Sequence, residues 1–209
     1  KHNKNFTSIF TPKILFVKSN KNAFNREVPD ESEFNNFDLD FVDLFQINRM
    51  HGHERLEKSS RVDYGFTYTS NGRQFFSNAT NIQIGQSYQL EKNKYLNKNT
   101  GINEKFSDIV GSFDIQPSQN LNLNSYFVVD KENLSLKSAY SNLLLQHKNA
   151  YFQISNNHYS PVVNEDGESI IEGKNQFSVS LSQKFNDFWN FTAYSTFDKK
   201  SKLKLFNYG

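Results

Sequence analysis

Apolar and polar residues alternate singly along most of this chain. In RVDYGFTYT, Val62, Tyr64, Phe66 and Tyr68 are apolar or aromatic, while Arg61, Asp63, Gly65, Thr67 and Thr69 are polar or small. Successive side chains of an extended strand point to opposite faces, so this pattern predicts a strand with one apolar and one polar face. NIQIGQSYQL repeats it, setting Ile82, Ile84, Tyr88 and Leu90 against Asn81, Gln83, Ser87 and Gln89. DIVGSFDIQ sets Ile109, Phe113 and Ile115 against Asp108, Ser112 and Asp114, and NQFSVSLSQKF aligns Phe177, Val179, Leu181 and Phe185. NLNLNSYFVV, NLSLKSAYS and FWNFTAYSTF follow the rule less strictly, and no stretch sustains a helical period.

These patterns predict strands at 6–17, 58–70, 75–91, 106–116, 120–130, 133–147, 150–160, 174–186, 188–198 and 202–209. Most exceed the ~5–6 residues usual in soluble sheets and reach the about 9–11 that a tilted membrane strand needs. The connections sort by parity. The first (18–57), third (92–105) and seventh (161–173) are long, whereas the second (NGRQ), fourth (PSQ), sixth (KN) and eighth (Asp187) are tight; the fifth and ninth are also short. In an antiparallel meander, odd connections lie at one end of the sheet and even ones at the other. Long loops at one end and tight turns at the other mark bacterial outer-membrane barrels. A soluble sandwich, such as an adhesin or binding domain, has no reason to keep that asymmetry. It would, however, show the same alternation, with its apolar face in a core instead of lipid.

Composition narrows the choice. Only 36% of the 209 residues are hydrophobic, yet 15% are aromatic, with 21 Phe and 10 Tyr, and disordered chains lack such aromatics. A net charge of +2 without a basic block gives no reason to expect nucleic acid. The absence of Cys excludes disulfides, thiolate zinc sites and cysteine nucleophiles within the chain. Apolar runs such as LLL at 143–145 and YFVV at 126–129 are far short of the ~20 residues of a membrane helix. Barrel strands escape that test because only every second residue meets lipid. The chain opens in polar residues with no signal-peptide pattern, as an internal fragment would.

The first connection, 18–57, is longer than hairpins usually tolerate. It contains FNNFDLDFVDLF, too aromatic to lie free in water, so it is expected to fold back into the lumen of its own barrel. DLFQINRMHGHERLEKSSRVDYGFTYT followed by NIQIGQSYQL also resembles the C-terminal barrel of the LPS-assembly outer-membrane protein family, LptD or organic solvent tolerance protein. The matching positions are Leu44 and Phe45, Arg49, Gly52 and Arg55, Tyr64 and Gly65, and Gly85, Gln86 and Tyr88, with Glu54 where the family commonly has Asp. QPSQNLNLNSYF, HYSP and KFNDFWNFTAYSTFD are similar to its later hairpins.

The resemblance implies an all-β fold: part of an antiparallel transmembrane outer-membrane β-barrel, about ten strands of a larger one, filling 1–209 without a second domain. It implies a non-enzymatic function, lipopolysaccharide transport and insertion into the outer leaflet of the bacterial outer membrane. The expected partners are lipopolysaccharide, outer-membrane lipid, an LptE-like lipoprotein plug, and an LptA-like periplasmic bridge docking on an N-terminal domain outside this sequence. No cofactor is implied. An inner face of Asn, Gln, Ser and Thr would suit a sugar path, since these side chains donate and accept hydrogen bonds. A general porin or transporter barrel is the first alternative.

Three short motifs carry other chemistry. His51, His53 and Glu54 offer metal-ligand types, but no second cluster completes a site, and a loop histidine pair is the blander reading. His158 and Ser160 stand two apart, as a base and nucleophile of a barrel lipase would, though Pro161 follows at once. NEDGES lacks the ligand spacing of a calcium loop and reads as a solvated loop.

Overall fold

The computed structural model describes residues 7–19, 39–49, 57, 59–74, 77–91, 101–102, 104–163, 169–171, 173–199 and 204–208. In chain order the strands are β1 (Thr7–Lys18), β2 (Ser60–Gln74), β3 (Ser77–Gln89), β4 (Ile109–Ser118), β5 (Leu121–Val129), β6 (Leu136–His147), β7 (Ala150–Tyr159), β8 (Val162–Val163), β9 (Ser169–Ile171), β10 (Lys174–Lys184), β11 (Asn190–Asp198) and β12 (Lys204–Tyr208). Ten of them form one sheet in the order β1-β2-β3-β4-β5-β6-β7-β10-β11-β12, each antiparallel to the next, while β8 and β9 pair as a separate small hairpin.

All ten anticipated strands are present, but the turns differ. NGRQ belongs to β2, where the register shifts between Asn71 and Gln74 and Gly72 sits at φ 94°, so glycine carries a bulge instead of a turn. Pro117 likewise lies inside β4, between the paired residues Ile115 and Ser118 where the register shifts, a position that needs no ladder N–H. The KN turn is as expected, with Lys148 at φ 49°. The eighth connection is five residues, 185–189, not Asp187 alone. Within the loop at 18–57, one turn of helix, α1 (Phe41–Leu44), was not expected from the sequence. Its cause is local: Asp40 caps it, accepting the Asp43 N–H at 2.7 Å.

Burial decides between lipid and core. The register places Phe10, Ile14 and Phe16 of β1 beside Tyr68, Tyr64 and Val62 of β2, on the apolar face. That face is bare, with Ile14 78% exposed, and Ile154, Phe177, Leu181, Phe191 and Phe197 lie on its continuation, exposed as well. The opposite face carries the large buried side chains of the sheet, among them Arg61 and Asp63 at 0% exposure. A soluble sandwich buries its apolar face; this sheet is built the other way round, as a barrel in lipid is. Among the described residues no helix is long and apolar enough to cross a membrane.

Candidate functional site

One register row crosses the polar, inward face over six strands: Lys13, Gly65, Gly85, Val110, Val128 and Ser138. Two glycines side by side leave a shallow floor, and α1 is seated on it. A Cβ on Gly85 would stand 2.6 Å from Leu44 Cδ2 and 3.3 Å from Phe41 Cδ2. Leu39, Leu44, Ile102, Val110 and Val128 form a buried apolar cluster there, with Phe45 packed against it. Phe41 and Phe45 meet edge to face at 5.1 Å, and Lys13 Nζ lies 5.0 Å from the Phe41 ring centre. Thus a small core of soluble type sits inside the barrel.

Beside it the same segment is clamped by four buried charges. Glu57 accepts from Arg49 Nε at 2.9 Å and also from Arg49 Nη2, and pairs with Arg61 Nη1 at 3.0 Å. Arg61 Nε donates to Asp63 Oδ2 at 2.8 Å, and Arg49 Nη1 lies 3.8 Å from Asp63 Oδ1. Arg61 Nη2 reaches back to the carbonyls of Gln46 (2.5 Å) and Ile47 (3.2 Å), while Ser87 Oγ donates to Asp63 at 2.5 Å. Two cations and two anions balance. Burial by itself would push the Glu57 carboxyl up, but the Arg49 hydrogen bond and the charges of Arg49 and Arg61 outweigh it and hold the carboxyl below its usual range.

A second ionic group closes the neighbouring rim. Asp108, fully buried, accepts from Lys137 Nζ at 2.7 Å and from the Lys131 N–H at 3.2 Å, and Lys137 also reaches Asp130 at 3.1 Å. Asp130 Oδ1 caps the β5–β6 turn by accepting the N–H groups of Asn133 and Glu132, and these bonds with the Lys137 contact bring its pKa down to about 2.

The residues singled out from the sequence divide between the two faces. Leu44, Phe45, Arg49, Gly65 and Gly85 come together at the inner site. Tyr64, Gln86 and Tyr88 point to the apolar face, where Tyr64 OH donates to Gln86 Oε1 at 2.5 Å and Tyr88 packs on Phe106 with centroids 4.9 Å apart. Gly52 and Arg55 lie outside the described residues, as do His51, His53 and Glu54, and residues 164–168 of NEDGES. Ser160 Oγ donates to the Leu136 carbonyl at 3.0 Å, which turns its proton to the backbone and away from His158.

Glu57, Arg61 and Asp63 were not anticipated as site residues. A signal existed: two full charges two apart on a face otherwise lined by Ser, Thr and Asn need partners.

The family model for LptD, LPS transport system D, matches residues 1–189. The chain belongs to that family. No curated protein matches it. As a member of the LptD family it is part of an antiparallel outer-membrane β-barrel and serves lipopolysaccharide transport and outer-membrane assembly, a transport role and not one of a known enzyme family.

Proposed function

We propose that this protein delivers lipopolysaccharide into the outer leaflet of the bacterial outer membrane, the sugars passing along the polar inner face while the acyl chains stay with lipid. The observation carrying this reading is the division of that inner face. Residues 39–49 are clamped over its β2–β4 part, whereas toward β11 it is a half-buried field of hydroxyls and amides. There Gln153 Nε2 donates to Asn142 Oδ1 at 2.8 Å, and Ser178 and Thr196 share a hydrogen bond at 3.0 Å. Such groups exchange partners with sugar hydroxyls at little cost.

On this reading residues 1–209 act as one portion of the barrel, with the loop at 18–57 folded inward. Leu44, Phe45, Arg49, Gly65 and Gly85 dock that loop, while Tyr64, Gln86 and Tyr88 brace the wall. An LptE-like lipoprotein plugs the lumen, and an LptA-like periplasmic bridge supplies the substrate. The test is depletion of the native full-length protein, followed by assay of lipopolysaccharide at the surface and in the periplasm. Loss outside with accumulation inside is expected; unchanged surface lipopolysaccharide would refute the proposal in favour of a general porin.

A further inference from the structure

We infer that the cavity under the β10–β11 turn is a saccharide-binding station on the inner face, selective for uncharged sugar rings; this rests on the transport role proposed for the protein. Across β5 to β11 the aromatic residues are sorted by side. Tyr126 pairs with Tyr140, Tyr159 with Ser138, Tyr151 with Ser182 and Tyr194 with Ser180 on the polar face. Phe127, Phe152, Phe177, Phe191 and Phe197 fall on the other. A phenol tolerates water on its polar tip, so this sorting marks the inner side as wet.

At its short-turn end that wet side has an exception. Phe188 and Trp189, which have no such hydroxyl, are 92% and 71% exposed, yet they line a cavity of about 360 Å³ together with Tyr151, Ser182, Lys184 and Asn190. Aromatics that anchor a barrel in the bilayer interface belong to the outer girdle. These two instead share a cavity with Tyr151 and Ser182, which the register assigns to the inner face.

The turn is held in shape by backbone and Asn186, without the two rings. Asn186 Oδ1 accepts the N–H groups of Phe188 (2.9 Å) and Trp189 (2.8 Å), and Lys184 N donates to the Asn149 carbonyl at 2.8 Å. Flat apolar plates beside amide and hydroxyl groups complement a sugar ring, whose C–H face stacks while its rim of hydroxyls bonds sideways. Charge sets the preference. Lys184 Nζ is already paired with Asp187 Oδ1 at 2.8 Å, so among the described residues the cavity offers a phosphate no free cation.

The experiment titrates the native full-length protein in detergent with core oligosaccharide freed of acyl chains and phosphate. Trp189→Ala and Tyr151→Ala should each weaken binding roughly two- to tenfold, with Trp189→Phe keeping most of it. Asp187→Asn should raise affinity for the phosphorylated oligosaccharide and leave that for the uncharged one unchanged. Equal affinity in native protein and Trp189→Ala, with heat-modifiable gel migration preserved, would overturn the inference. So would quenching by brominated lipid of the fluorescence that Trp189→Phe removes, since it would place the ring in the bilayer. Failure of the transport role is distinguishable: depletion would then leave surface lipopolysaccharide unchanged while Trp189-dependent sugar binding persisted.

Discussion

Replacing Gly85 should detach the inner loop while leaving the sheet intact. An added Cβ meets Leu44 Cδ2 at 2.6 Å, and ordinary carbon contacts lie near ~3.5–4.0 Å, so Leu44 would have to retreat by about 1 Å. Leu44 is 0% exposed and has little room to do so. Overpacking of this kind costs about 1–3 kcal/mol. Burying Leu39, Phe41 and Leu44 contributes at most ~1.5–3 kcal/mol each, and the entropy of ordering the segment offsets much of that sum. Gly85→Ala should therefore weaken docking, and Gly85→Leu, whose side chain needs the space Leu44 fills, should abolish it.

Gly65 provides the contrast. There a Cβ would meet backbone, the Ile84 carbonyl oxygen and, at 2.9 Å, Gly85 Cα, so Gly65→Ala should disturb β2–β3 pairing itself. The assay is protease cleavage within 18–57 in whole cells, read beside heat-modifiable migration and single-channel conductance. Gly85→Leu should become cleavable and more conductive with migration unchanged. A Gly85→Leu protein as resistant to protease as the native one would refute the glycine-floor argument.

Glu57→Gln leaves Arg49 and Arg61 without their shared carboxylate; removing one partner of a buried pair costs about 3–5 kcal/mol, so the same cleavage assay should show undocking. The folded Glu57 value is depressed, so its contribution is present above the usual carboxylate value of 4.5 and is lost as pH falls through the lower folded one. Loop protection should thus be level at neutral pH and fall only in acid, and a loss centred near pH 7 would contradict a carboxylate held by Arg49 and Arg61. The β5–β6 turn follows the same sign: with Asp130 at about 2, its cap should hold until pH approaches that value, and amide exchange at Glu132 and Asn133 measures it. Ser160→Ala removes only a bond to the Leu136 carbonyl and should leave lipopolysaccharide delivery unchanged; loss of a lipase activity in that variant would restore the His158–Ser160 reading.

The sheet was legible because single alternation is a local signal. Phe177, Val179 and Leu181 declare their common face without reference to any neighbour. Alternation alone did not say which face met lipid, since a sandwich writes the same pattern; the parity of the long loops pointed to a barrel, and the exposure of Ile14 and the burial of Arg61 bear that out. The turns failed where a turn-forming residue served another purpose, as Gly72 and Pro117 do at register shifts. Leu44, Arg49 and Gly85 could be singled out but not joined, because their meeting is made between a loop and strands some forty residues on. Glu57, Arg61 and Asp63 were hidden by their ordinariness: a charge on a polar face looks solvated until something covers it.

That cover explains why charges stand where hydroxyls would serve a sugar path better. An apolar loop could dock on the glycine floor in any of several slid positions, since Leu and Phe contacts are not directional. The Arg49–Glu57–Arg61–Asp63 set removes this freedom. Each guanidinium has a partner in both the segment and the sheet, and a shift of one residue would strand a buried charge. The balance of two positive and two negative charges also leaves no net charge to hold a passing phosphate. Apolar burial thus attaches the segment and the ionic set fixes its place, so the boundary between covered and open inner face stays where uncharged hydroxyls and amides begin.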